Sequence, residues 1–345
     1  MISENLKEPD KLKEFLKEFF RKAYYLAKPI IPRSTQIAVR RRKVKRQLGE
    51  YADIWPIDPA SGEKPVGWTG WPEGKQFALI LTHDVDTAIG QSKCMELSRL
   101  ESNLSLNSAF NIVPERYLVN MDVMKYLSGK GHEIGVHDLK HDGHLYDSEK
   151  IFWERAQVIN NYMQEWEMAL GEPVSGFRSG AMHHNLKWLL ELGASYNEST
   201  LHDESTFDTD PFEPNPEGMR TIFPFSVKDG KTGKKYIEIP YTLPQDFTMF
   251  VLMPEEMRTT DTWKKKLAWV AEKGGMALVN VHPDYMNFLG NKCGREQYPA
   301  RLYKEFLEHV STEYKGHFWH ALPRDVKTLW KDIQTPHDRV YNPAA

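Results

Sequence analysis

From Phe77 onward, short apolar runs alternate with longer stretches whose apolar residues recur every three to four positions. That alternation predicts βα units around a mainly parallel sheet. The strand candidates are Phe77–Thr82, Ala109–Val113, His132–Val136, Val174–Phe177, Ala194–Tyr196, Tyr236–Ile239, Met276–Val281 and His317–Ala321. They number about eight, the complement of a β/α barrel. Between them, helical spacing appears near Met95–Leu100 and Thr262–Lys273. Another helix runs from a Ser148 cap, through Ile151, Phe152, Val158, Ile159, Tyr162 and Trp166, to Gly171. Upstream, Leu12, Phe15, Leu16, Phe19, Ala23, Leu26 and Ala27 give residues 10–28 the stripe of an amphipathic helix, ended by Pro29 and Pro32. Residues 48–76 are rich in Pro, Gly and Trp, have little periodicity and read as an irregular approach to the main domain. The expected division is an N-terminal helical and irregular extension over 1–74, a barrel over 75–335 and a tail over 336–345.

The chain has 345 residues, and one barrel with extensions accommodates that length. A net charge of −3 gives no global field that calls for nucleic acid or an anionic membrane. Locally, Arg40–Arg46 is strongly basic. It reads as a solvated face or interaction arm, with an anionic-ligand or membrane-surface patch as the alternative. Two cysteines, Cys94 and Cys293, argue against a disulfide framework and for a reducing compartment. Met1-Ile2-Ser3-Glu4-Asn5 lacks the apolar stretch of a signal peptide, and no long apolar run spans a bilayer. The expected location is cytoplasmic, with peripheral membrane contact through residues 10–46 as a further expectation. The ten Trp, 15 Tyr and 16 Phe belong mainly to the core, although aromatic rings also line sugar sites.

In a β/α barrel the chemistry sits where strands end. The first run opens into Thr82-His83-Asp84-Val85-Asp86. Adjacent like charges there cost free energy unless a cation or proton offsets them. The third run opens into His137-Asp138-Leu139-Lys140-His141, whose histidines share a face if the segment makes a helical turn. One aspartate with His137 and His141 fills the three-ligand set of a catalytic divalent metal, zinc first among them. Two further strand ends carry Arg178 and His282-Pro283-Asp284.

This ordered set resembles the polysaccharide deacetylase family, also called the NodB-homology or carbohydrate esterase 4 group. The resemblance rests on Thr82–Asp86, Gly131–His137 with His141, Gly176-Phe177-Arg178 and Val281-His282-Pro283. The Asp-Val-Asp form is similar to a subset linked with bacterial surface polysaccharide synthesis. Phe110–Glu115, Thr242–Asp246 and Phe318–Pro323 also look like that subset. The resemblance implies an α/β fold, a distorted (β/α) barrel of NodB-homology type, closed by its C-terminal tail. It implies hydrolysis of an N-acyl group, usually N-acetyl, by metal-activated water. Asp84 matches the base, Arg178 the arginine that orients it and His282 the general acid. Asp86 is then the metal ligand beside His137 and His141, although the inserted Val85 also allows the two aspartates to exchange roles.

Three positions depart from the family pattern. Gly180 stands where a proline is usual. Tyr196-Asn197-Glu198-Ser199 replaces the segment whose aspartate partners the catalytic histidine, leaving Asp203, Asp208 or Asp210 as substitutes. His83 replaces an aromatic and reads as a wall or supporting residue, with a fourth ligand as the alternative. The expected substrate is an N-acetylated amino sugar or polysaccharide precursor, lipid- or nucleotide-linked. The rival readings are a hydrolase of another C–N bond, such as a formamide or cyclic amide, and an inactive glycan-binding barrel.

Overall fold

The computed structural model describes residues 31–192, 201–213, 218–290 and 292–341. The expected helix over 10–28, the strand at Ala194–Tyr196 and the Tyr196–Ser199 motif lie outside them. The strands are β1 (Phe77–Val85), β2 (Ala109–Ile112), β3 (Glu133–His137), β4 (Gly176–Arg178), β5 (His202–Asp203), β6 (Phe225–Asp229), β7 (Lys235–Glu238), β8 (Met276–Val281), β9 (Met286–Asn287), β10 (Tyr298–Pro299), β11 (Phe318–His320) and β12 (Arg339–Tyr341). The α-helices are α1 (Arg33–Gln47), α2 (Ala88–Ser102), α3 (Met121–Gly129), α4 (Glu149–Leu170), α5 (Leu186–Leu189), α6 (Asp261–Lys273), α7 (Ala300–Glu313) and α8 (Pro323–Trp330).

The hydrophobic runs become a sheet buried on both faces. Every residue of β1, β2, β3, β4 and β8 is buried, the pattern expected of parallel strands covered by helices. Strands β8, β1, β2, β3, β4, β5 and β7 follow one another in parallel; β6 joins β7 antiparallel and β12 closes that edge. Arg339–Tyr341, assigned to the tail by sequence, is thus the outermost strand. A strand has two edges. β8 takes one along Ala78–His83, so β11 (at Phe77–Leu79) and β2 (at Thr82–Val85) share the other. No regular ladder joins β7 to β8 among the described residues. Beyond β7 the chain keeps to the β5 side, where Ile239 and Tyr241 donate to the Asp203 and Thr206 carbonyls, and then reaches β8, where Thr242 and Leu243 donate to the Leu278 carbonyl. The architecture is a distorted α/β barrel.

The helix ends follow the predicted chemistry. The Ser148 hydroxyl accepts from Ile151 N at the start of α4, and Gly171 closes it in the left-handed conformation. Gly274 does the same for α6. The basic run forms the second half of α1, which buries Ile37 and Val44 and packs against the π-helical turn Phe247–Leu252, where Arg41 Nε donates to the Val251 carbonyl. Trp68, Trp71, Trp319, Trp330 and Phe223 cluster around the N-terminal end of β1, where Ala78 pairs with Trp319. Trp71, Trp330 and Phe223 are buried, with Trp68 and Trp319 half-buried against them, so these rings are core, whereas Phe247 and Tyr285 line the cavity described below. No described helix is long and apolar enough to cross a membrane.

Candidate active site

Side chains alternate across a strand, so Thr82 and Asp84 share one face of β1 while His83 and Val85 take the other. Asp86 follows at the strand end. The strand ends of β1, β3 and β8 and the loops after them surround a cavity of about 600 Å³ that holds Asp84, Asp86, His137, His141 and His282. Arg178 lies beneath Asp84, fully buried.

Asp86, His137 and His141 come together. Asp86 Oδ1 lies 3.4 Å from His137 Nε2 and 3.3 Å from His141 Nε2. One potential ligand atom from each residue lies within 4.8 Å of the others. Asp86 Oδ1 is buried without a hydrogen-bond partner, which is costly for a carboxylate unless a cation meets it. His137 Nδ1 donates to the Arg178 carbonyl over 3.0 Å, turning Nε2 toward Asp86. An N₂O donor set with a buried orphan oxygen fits a divalent metal. Arg116 Nη1 donates to His141 Nδ1 over 2.8 Å. Burial, then His137 and Arg116, push the His141 pKa down to about 4 against the pull of Asp86. Burial also works to lower the His137 pKa, but Asp84 and Asp86 outweigh it and raise the value. A cation bound here competes with that proton.

The loops that carry these ligands are strained. Asp138, His141, Ala181 and Met182 all have φ between 49° and 56°. Such non-glycine conformations cost on the order of 1–3 kcal/mol each and collect at functional sites. Gly180 lies directly against the cluster. A Cβ there would stand 2.6 Å from Asp138 Oδ2 and 3.2 Å from His141 Cδ2. That closeness accounts for glycine where a proline is usual.

Asp84 sits in a separate cradle. Its Oδ1 accepts from Arg178 Nη1 at 3.0 Å and its Oδ2 from Asn280 Nδ2 at 2.8 Å. Burial works to raise its pKa, but Arg178, His137, His282 and Asn280 outweigh burial and hold it well below the usual carboxylate range. Arg178 is itself braced by Glu204, whose Oε2 lies 2.6 Å from Nη2, and by Thr82 Oγ1. Asp84 Oδ2 is 3.9 Å from His137 Nε2 and 3.8 Å from His282 Nε2. It thus stands between the ligand cluster and the candidate acid.

His282 Nδ1 pairs with Asp246 Oδ1 at 2.7 Å, while Asp246 Oδ2 accepts from His282 N and the Tyr298 hydroxyl. Burial works to lower the His282 pKa, but Asp246 chiefly lifts it to about 10, so the ring is protonated at neutral pH. The acidic stretch expected to supply this partner does not. Asp203 bonds to Ser205, Asp208 to Lys266 and Asp210 to Tyr241. All three are held in other networks, and Asp246, at the head of the π-helical turn, holds the imidazole instead. Asp284 also emerges with a role. Its carboxylate accepts from Asp86 N at 3.0 Å and Thr87 Oγ1 at 2.6 Å, fixing the turn that presents Asp86.

His83 is not a ligand. It lies on the opposite face of β1, fully buried, with Nε2 2.8 Å from Glu101 Oε1. The wall or supporting reading holds, and the fourth-ligand alternative fails because the strand points the ring away.

No protein-family model and no curated protein sequence matches the chain. Solved structures do. A protein from Mycobacterium smegmatis described as a polysaccharide deacetylase is 17% identical, with a TM-score of 0.58 over 82% of this chain and 99% of its own. PuuE allantoinase is 15% identical, with a TM-score of 0.55 over 80% of this chain and 97% of its own. A protein from Pseudomonas aeruginosa described as a polysaccharide deacetylase is 15% identical, with a TM-score of 0.54 over 78% of this chain and 97% of its own. At these identities the likeness is one of fold: the chain has the α/β barrel fold of NodB-type deacetylases.

Proposed function

We propose that this protein is a metal-dependent hydrolase that removes an N-acyl group from an amino sugar. The observation that carries the reading is the convergence of two independent assemblies on one cavity. Asp86, His137 and His141 form the metal set; Asp84 and His282 form an acid–base pair whose nearest atoms are 3.8 Å apart. Asp86, His137 and His141 would hold a divalent cation, which when bound would acidify water toward a pKa of about 7 and polarise a carbonyl. Asp84 takes the proton that water gives up, with Arg178 and Asn280 keeping it ionised beforehand. Those partners make Asp84 a weak base, so the transfer depends on the acidity of the water. His282 is positioned by Asp246 as a protonated donor to the departing amine, which leaves poorly as an anion.

A cavity of about 600 Å³ falls in the range of small-molecule sites and has room for a sugar unit, either free or as part of a larger precursor. The fold shared with an allantoinase keeps a second reading in view, hydrolysis of a cyclic amide, for which the same groups serve. A deacylation screen of N-acetyl and N-formyl amino sugars, alongside allantoin and simple formamides, decides between them. Release of acyl groups from sugars, abolished by a chelator and restored by Zn²⁺, is the expected outcome. Metal-replete protein that hydrolyses only the cyclic amide, or nothing, would sink the proposal.

A further inference from the structure

We propose that Arg40 binds an anionic group, a phosphate or a carboxylate, carried by the sugar whose deacylation is proposed above. The inference rests on that reading of the site and adds to it a charged substrate class.

Helix α1 belongs to the extension, yet it forms part of the cavity wall through Arg33, Gln36 and Arg40. It is held there firmly. Ile37 and Val44 are buried, Arg41 Nε donates to the Val251 carbonyl over 2.7 Å, and Arg41 Nη2 donates to that of Arg295 over 2.9 Å. Arg40 lies on the same side of the helix, half-buried, with its guanidinium 4.9 Å from the centre of the Phe247 ring. A guanidinium placed over an aromatic face keeps N–H groups that can serve a bidentate acceptor.

The neighbouring guanidinium groups are engaged. Arg33 Nε pairs with Glu296 at 2.9 Å, Arg116 bonds to His141, and Arg178 is locked between Asp84 and Glu204. Among the described residues, no carboxylate lies within ion-pair distance of Arg40. Glu213 also lines the cavity, and its Oε1 accepts from Gln245 Nε2 at 3.0 Å. Burial raises the Glu213 pKa, and the Arg40 charge offsets only part of that rise. A half-buried cation that lines the cavity without a hydrogen-bonded anion is available to one carried by a ligand. The outward residues Arg42, Lys43, Lys45 and Arg46 are exposed, so the basic run splits into a solvent face and a cavity face.

The test uses the full chain loaded with Zn²⁺ and three probes: N-acetylglucosamine, its 1-phosphate, and N-acetylmuramate, which carries a carboxylate. Arg40→Gln should lower kcat/KM for the preferred charged sugar roughly 10- to 100-fold more than for the neutral one, the usual worth of a hydrogen bond to a charged group, and chiefly through KM. Arg40→Lys should recover part of the loss. Arg42→Gln, on the exposed face, should leave the charged-to-neutral ratio unchanged. A dependence greatest with the phosphate marks a phosphorylated precursor; one greatest with the carboxylate marks a sugar acid. Equal losses for all three probes would overturn the proposal. Should no probe be deacylated, the reaction assigned above fails by itself. Calorimetric titration with the two charged sugars then judges Arg40 separately: binding weakened by Arg40→Gln supports the proposal, and absent or unaltered binding refutes it.

Discussion

The two faces of β1 carry similar chemistry and put it to different use. On the cavity face, Asp84 and Asp86 meet Arg178, His137 and His141, and nearby His282 pairs with Asp246 at 2.7 Å. On the packed face, His83 pairs with Glu101 at 2.8 Å, and Glu101 also accepts from Ser108 and Tyr303. Both are dense networks of buried titratable groups. The packed network keeps its carboxylate satisfied and sealed behind Phe110 and Tyr303. The packed network has its own unpartnered atom, His83 Nδ1, but it is sealed in; the cavity network leaves Asp86 Oδ1 unsatisfied beside a cavity of about 600 Å³. A buried histidine–carboxylate pair is therefore not in itself a sign of catalysis; an unmet valence beside accessible volume is the better sign.

Substitutions on the two faces should separate them sharply. The largest effect is expected from His137→Ala, which removes one of three ligands and should empty the site of stoichiometric Zn²⁺, with turnover falling to background. Elemental analysis of the purified variant checks this; full metal occupancy would contradict the ligand set. Asp84→Asn should keep the metal but reduce turnover roughly 10²–10⁴-fold, the usual worth of a general base, as read by steady-state kinetics. A milder change is expected from Asp246→Asn. A hydrogen bond to a charged group is worth about 1.5–3 kcal/mol, so its loss should lower the His282 pKa by roughly one to two units. Because the raised pKa keeps His282 protonated, the basic limb of the kcat/KM profile should then move to lower pH. An unmoved limb would mean that His282 is not the titrating acid. On the packed face, Glu101→Gln should cost about 1–3 kcal/mol in denaturant unfolding while kcat of the folded protein stays the same. A large loss of kcat with unchanged stability would erase the distinction between the faces.

Much of this arrangement was legible because strand ends mark the site in any βα barrel, and Asp84, Asp86, His137, Arg178 and His282 all follow apolar runs. Asp246 was not. It lies 36 residues before His282, in a segment without periodicity, where a π-helical turn of buried apolar residues sets the carboxylate in place. The likeness of Thr242–Asp246 to the family subset marks the segment but assigns it no role, so Asp246 did not stand out as the histidine's partner over the aspartates at 203, 208 and 210. Helix α1 escaped for a different reason. Its buried apolar anchors are only Ile37 and Val44, one stripe position every seven residues, so arginine density hides the helical period. The strands β5, β6 and β12 are short or partly exposed, and a hydrophobicity pattern has little to register in them.

The residue at 178 joins two duties in one position. Its guanidinium steadies Asp84, while its carbonyl accepts from His137 Nδ1 and from Asp138 N at 2.8 Å. Side-chain replacement at 178 and a shift of its backbone are therefore separable injuries. The first disturbs Asp84 together with Glu204 and Thr82, which the guanidinium also bonds; the second also disturbs His137 and Asp138. A one-residue insertion or deletion between 178 and 182 should disturb both sets of contacts at once, which makes this short loop a poor place for exchange by grafting.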